Sequence, residues 1–137
     1  MNIEIGGPQR NRVNKKDISR QVKLVFKTAK KPQADYQLSI ALVDNQTIKR
    51  LNRQYRNKNK PTTILSFVYS KTAGEIILSI PEIRKKSREI GMNWQKFFCR
   101  ILIHGLLHLC GYRHSNQEQT KQMEKMEEKI LNELQCL

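Results

Sequence analysis

Hydrophobic positions along the 137-residue chain switch repeatedly between a period of two and helical spacing. The opening NIEI sets Ile3 and Ile5 two apart before Gly6-Gly7-Pro8, which predicts a short strand and a breaker. Ile18, Val22, Val25, Phe26 and Ala29 keep helical spacing, with Asn14 or Asp17 as the N-cap and Pro32 as the stop. YQLSIALV returns to alternation and points Leu38, Ile40 and Leu42 to one face of a strand. Asp44 then caps a short helix carrying Ile48, Leu51 and Tyr55, and the polar RNKNKP reads as a basic loop. TILSFVY and GEIILSI, joined by the turn-rich SKTAG, predict a β-hairpin. Pro81 opens a short helix ending near Gly91. Asn93 caps a long apolar helix to Leu109, with Gly111 as its left-handed terminator. Ser115 is expected to cap a last helix, whose Met123, Met126, Ile130, Leu131 and Leu134 form one apolar stripe, read as core.

These elements contain no repeat and no low-complexity linker, and the length suits one domain, residues 1–137. The longest apolar stretch, Phe97 to Leu109, is interrupted by Arg100 and His104 and falls short of the roughly 20 residues a membrane span needs. No signal-peptide order is visible at the start, so a cytoplasmic protein is expected. Cys99, Cys110 and Cys136 are an odd set without paired spacing and read as reduced thiols, the first two as small core residues.

Charge changes this picture of an ordinary soluble domain. The chain carries 26 Lys+Arg against 12 Asp+Glu, a formal net charge of +14. Fifteen of the basic residues but four of the acidic ones lie at or before Pro61, so the positive surface belongs mainly to the N-terminal half. An anionic partner is implied. A solvated basic face tuned for solubility is the competing reading.

All three histidines fall within HGLLHLCGYRH, residues 104–114. His104 and His108, four apart on the predicted helix, share one face, so their nitrogens can meet one ion at about 2.0–2.1 Å each. Gly111 lets the chain turn back, bringing His114 within reach as a third ligand. Three imidazoles leave a tetrahedral ion one open position, the pattern of catalytic rather than structural zinc. The spacing matches the zinc-peptidase pattern H-E-x-x-H-x-x-G-x-x-H, except that Gly105 stands where the general base Glu belongs. Peptidase chemistry would then need another carboxylate, such as Glu75, to reach the site. Ser66 has no histidine outside the metal motif to activate it, which excludes a Ser-His triad.

With these residues in view, the chain resembles the YbeY family of bacterial endoribonucleases from about Ala41 to Leu131. HGLLHLCGYRH is similar to the family's H-G-x-L-H-L-x-G-Y-D-H, LNRQYRNKNKPTTILSF to L-N-x-x-Y-R-x-x-x-x-P-T-D-V-L-S-F, and GEIILS to G-D-I-x-I-S. MEKMEEKIL resembles the M-E-x-x-E-x-x-I-L ending. The resemblance implies an α+β fold, a small mixed sheet packed by helices, whose central apolar helix carries two metal-ligand histidines. It implies a metal-dependent, single-strand-specific endoribonuclease of ribosomal RNA maturation and ribosome quality control. It also implies one zinc ion, or another divalent transition metal, held by His104, His108 and His114, with Arg56 as the functional arginine beside the cleft. Catalysis then rests on Arg56 and His114, and RNA contacts on Arg53, Arg56, Lys58 and Lys60. The expected partners are single-stranded RNA, ribosomal RNA above all, and the ribosome or its proteins, with no membrane and no DNA specificity.

Two positions depart from the pattern: Arg113 replaces an Asp, and Thr63 an Asp or Asn. Turned inward, Arg113 would oppose a cation; turned outward, it would extend a phosphate-binding surface. Tyr55 and Tyr69 are read either as base-stacking platforms or as core. Two other functions compete: a non-catalytic RNA- or ribosome-binding protein with a structural zinc, and, more weakly, a zinc peptidase.

Overall fold

A computed structural model of the chain describes residues 1–134. In chain order its elements are β1 (Asn2–Gly6), α1 (Lys15–Thr28), β2 (Gln37–Val43), α2 (Asn45–Arg56), β3 (Ile64–Ser70), β4 (Ala73–Ser79), α3 (Ile80–Glu89), α4 (Trp94–Leu109) and α5 (Gln117–Leu134). The expected hairpin is β3–β4, which pair antiparallel. β1 and β2, separated by α1, pair in parallel, as a helical crossover permits, and β2 pairs in parallel with β4. The strand order is β1-β2-β4-β3, so the expected small mixed sheet is present with β3 at one edge.

Alternation along the strands sorts their side chains onto two faces. Leu38, Ile40, Leu42, Ile76 and Leu78 bury into the main core with Val22, Val25 and Phe26 of α1 and Leu102, Ile103 and Leu106 of α4. Met123, Ile130 and Leu134 of α5 complete it, so the methionine-bearing stripe is core as read. On the other face Val43, Leu65 and Ile77 form a smaller cluster under Ile48 of α2.

The helix ends follow local chemistry. Asn14 rather than Asp17 caps α1, accepting from the Asp17 N–H at 3.1 Å, and Asp44 caps α2 through the Thr47 N–H at 2.8 Å. The Asn93 side chain accepts from the N–H groups of Gln95 and Lys96. The expectation for Ser115 is corrected. Asn116 caps α5, accepting from the Gln119 N–H at 2.8 Å, while the Gln119 side chain reaches back to the Ser115 N–H at 3.1 Å. The pair of bonds is like a capping box, except that Gln119 takes the N–H before the cap residue rather than the cap's own.

Among the described residues no helix is long and apolar enough to cross a membrane. Cys99 is buried in the core as expected but is disulfide-bonded, correcting its reading as a reduced thiol; an odd count without paired spacing gave no sign of this. Cys110 is a free thiol packed against the core. Cys136 lies outside the described residues.

Candidate metal centre and its cleft

Helix α4 presents His104 and His108 because its other face is committed to the core: Leu102, Ile103, Leu106 and Leu107 are buried. At its end Gly111 adopts φ +101°, and the Tyr112 N–H donates to the Leu107 carbonyl at 3.0 Å, closing a Schellman turn. That turn swings the chain back and returns His114 to the same side. The ligand nitrogens of His104, His108 and His114 all lie within 4.8 Å of one another.

Hydrogen bonding sets the protonation pattern of the trio. His108 Nδ1 lies 3.0 Å from the Tyr112 carbonyl, which can only accept, so the proton sits on Nδ1 and the Nε2 lone pair is free. His104 Nδ1 lies 3.5 Å from the Glu127 carboxylate of α5, which favours the same tautomer. Burial, followed by smaller repulsion from His104, His114 and Arg113, outweighs the Tyr112 bond and lowers the His108 pKa, favouring the neutral ring. The two Nε2 atoms stand 3.1 Å apart. In the apo protein the His104 Nε2–H can donate to the His108 lone pair at that distance; with both protons on Nδ1, the two lone pairs would instead face a shared cation. Ligands about 2.0–2.1 Å from a tetrahedral ion would be about 3.3 Å apart, close to this spacing. The donor set fits a metal ion and could hold one.

The histidines line an open cleft of about 720 Å³. Its far wall is β3, through Ile64, Ser66 and Val68, and Arg56 enters from the end of α2. Arg56 is placed there by the turn after α2. Asn57 takes a left-handed conformation, φ +56°, and the buried Asn52 side chain donates to the Lys60 carbonyl at 2.9 Å, folding the basic loop back. Arg53, Lys58 and Lys60 are exposed but do not line the cleft. Arg113 and Arg100 do. Arg113 takes neither expected orientation outright: its guanidinium donates to the carbonyls of Tyr112 (3.0 Å) and His108 (3.3 Å), covering the end of α4. Thr63 also lines the cleft, and its carbonyl accepts from the Ser79 N–H.

Sequence reasoning missed Glu127 and Arg100. Arg100 was legible as the position one helical turn before His104. Glu127 was one of several carboxylates on the last helix, and only the docking of α5 selects it. Glu75, weighed as a distant base, instead accepts from the Tyr69 hydroxyl at 2.5 Å and lies outside the cleft. That bond and burial push the Tyr69 phenol up to about 12. Tyr55 and Tyr69 are exposed, 59% and 64%, and flank Phe67, with ring centroids 5.2 and 6.5 Å away. By strand alternation Phe67 lies on the opposite face of β3 from Ser66 and the cleft.

At Gly105, where a peptidase would carry its Glu, an added Cβ would overlap Ile64 Cδ1 and lie 3.0 Å from Ser66 Oγ. The absence of a side chain is therefore what lets α4 rest on β3. A separate cleft of about 330 Å³ between α1 and the start of α4 contains no histidine.

Residues 5–135 match the family model described as Endoribonuclease YbeY. A protein of that description from Sulfurihydrogenibium sp. is 38% identical over 108 residues, 73% of this chain and 71% of its own length. Another, from Persephonella marina, is 40% identical over 95 residues, 64% of this chain and 62% of its own length. A Thermotoga maritima protein solved in solution superposes with a TM-score of 0.63 at 27% identity, covering 97% of this chain and 91% of its own. With sequence, fold and cleft in agreement, the chain belongs to the endoribonuclease YbeY family.

Proposed function

We propose that the protein is a zinc-dependent, single-strand-specific endoribonuclease that acts on ribosomal RNA in the cytoplasm, in rRNA maturation and ribosome quality control. The observation that carries this reading is the convergence of three imidazoles, the Nε2 atoms of His104 and His108 3.1 Å apart with His114 beside them, in a cleft that Arg56, Arg100 and Arg113 also line. His104, His108 and His114 would hold one ion. When bound, zinc supplies Lewis acidity toward a phosphoryl oxygen or an attacking water.

The chain's own contribution is to bind and orient a phosphodiester. Arg56 takes the scissile phosphate through charge-assisted N–H bonds, bidentate where the geometry allows, and holds charge as it develops there. Arg53, Lys58 and Lys60 carry the positive surface outward to flanking phosphates. Ser66 is not the nucleophile. Its hydroxyl lies 3.5 Å from the Gly105 carbonyl, and every imidazole converges on the common point. The attacking oxygen therefore comes from water or from the RNA's own 2′-hydroxyl.

The test pairs elemental analysis of the purified protein with cleavage of a single-stranded RNA. One bound zinc per chain is expected. Arg56→Ala and His114→Ala should each lower cleavage by roughly 10²-fold or more with the fold intact by circular dichroism. Cleavage that survives chelation, or RNA binding with no cleavage at all, would replace this reading with that of an RNA-binding protein. Casein cleavage without RNA cleavage would indicate a peptidase.

A further inference from the structure

We infer that the exposed face of α1 is a second RNA-binding surface, one that grips the phosphate backbone of a folded, double-stranded segment while the histidine cleft takes a single strand. The inference rests on the RNA reading above for the class of partner.

Lys16, Arg20, Lys23 and Lys27 are all exposed. At 3.6 residues per turn they fall within an arc of about 60°, opposite the buried Ile18, Val22 and Val25. Folding needs a polar face opposite the buried one, but not a uniformly basic one. The four repel one another at i,i+3 and i,i+4 spacing, and Asp17 is the only acid in α1. Lys15 and Lys16 also stand at the positive end of the helix, where cations are disfavoured. Nothing nearby compensates: among the described residues no Lys or Arg lies within ion-pair distance of a carboxylate, the only such contact being that of His104 with Glu127. An unpaired row of cations held against its own repulsion is matched by a row of anions from outside.

The geometry favours duplex backbone over a single strand. The stripe runs 12 residues, Lys16 to Lys27, and its ends lie about 16 Å apart at a rise of 1.5 Å per residue. Successive cations of the stripe rise about 4.5–6 Å along the helix, so the row can follow successive phosphates of one regularly wound strand. No aromatic residue is exposed on α1, and single-strand surfaces depend on aromatic stacking, whereas duplex RNA is held through shape and backbone. α1 packs against α4 and α5 and contributes nothing to the histidine cleft, so both surfaces can be occupied together.

The test compares the full-length protein with a variant carrying Lys16→Gln, Arg20→Gln, Lys23→Gln and Lys27→Gln, using a long blunt RNA duplex and a short unstructured single strand as probes. The slope of log affinity against log salt for the duplex should fall by about 3 to 4, from the loss of four phosphate contacts. Cleavage of the short strand should keep its kcat/KM. A charge-matched control, Lys71→Gln, Lys85→Gln, Lys86→Gln and Arg88→Gln, should bind duplex nearly as well as wild type, and an all-arginine stripe should restore binding. An unchanged slope in the stripe variant would overturn the inference. So would an equal loss in the control, or wild-type binding to anionic vesicles but not to duplex RNA. Failure of the nuclease reading shows separately, as absent cleavage by wild type.

Discussion

Glu127 is the cleft's carboxylate, and its 3.5 Å approach to His104 Nδ1 holds that ring with Nε2 turned toward the other imidazoles. Carboxylates behind a ligating histidine typically account for about 10- to 100-fold in metal affinity. Glu127→Gln, which keeps the shape and removes the charge, is expected to weaken zinc binding within that range in competition with a chromophoric chelator; unchanged affinity would assign Glu127 no hold on the site. Cys110, beyond the cleft, makes a different prediction. Burial pushes its thiol from 9.0 to about 12, against a small lowering by Lys31. The unfolded chain therefore releases this proton first, and stability falls as pH rises from about 9 toward 12. Cys110→Ala should flatten that decline in melting temperature, leaving the part due to Tyr36 and Tyr69, whose phenols are also raised, the first mainly by burial and the second mainly by its bond to Glu75.

Between elements, α4 approaches β3 closely at Gly105. Gly105→Leu would drive a side chain into Ile64 and Ser66, at the typical overpacking cost of about 1–3 kcal/mol or more, and would push β3 away from the histidines. The expected outcome is a lower melting temperature together with weaker metal binding; a variant as stable as wild type would show that the two elements are not in tight contact. Such tertiary proximity is what the sequence leaves unreadable. The histidine trio was legible because all its members lie within eleven residues and helical spacing plus a glycine turn determine their convergence. Glu127 was not, because which carboxylate of α5 meets α4 depends on how two helices dock. The start of α5 slipped by one residue because Ser115 and Asn116 are both good caps, and the back-reaching Gln119 decides between them.

At the scale of the molecule, hydrophobic periodicity located every strand and α-helix, though not the short 3-10 turn at Arg10–Arg12, and it carried no information on the order β1-β2-β4-β3, which depends on where the crossovers land. The charge count put the positive surface in the N-terminal half without showing that the cations of α1 lie outside the cleft that Arg56 lines. The candidate centre joins separate parts of the fold: two histidines on α4, one beyond the Gly111 turn, and a carboxylate on α5 behind the first ring. A ligand bound only by the folded state adds RT ln(1 + [L]/Kd), about 2.7 kcal/mol at a free concentration 100 times Kd. For a chain of this length that is a rise of about 10 °C in melting temperature. Zinc should produce it in wild type, and excess chelator should reverse it. His114→Ala should lose most of the rise, because two imidazoles on one helix can hold the ion without tying the turn to α4. If zinc stabilises that variant as much as wild type, His114 is not a ligand and the three-histidine centre is wrong.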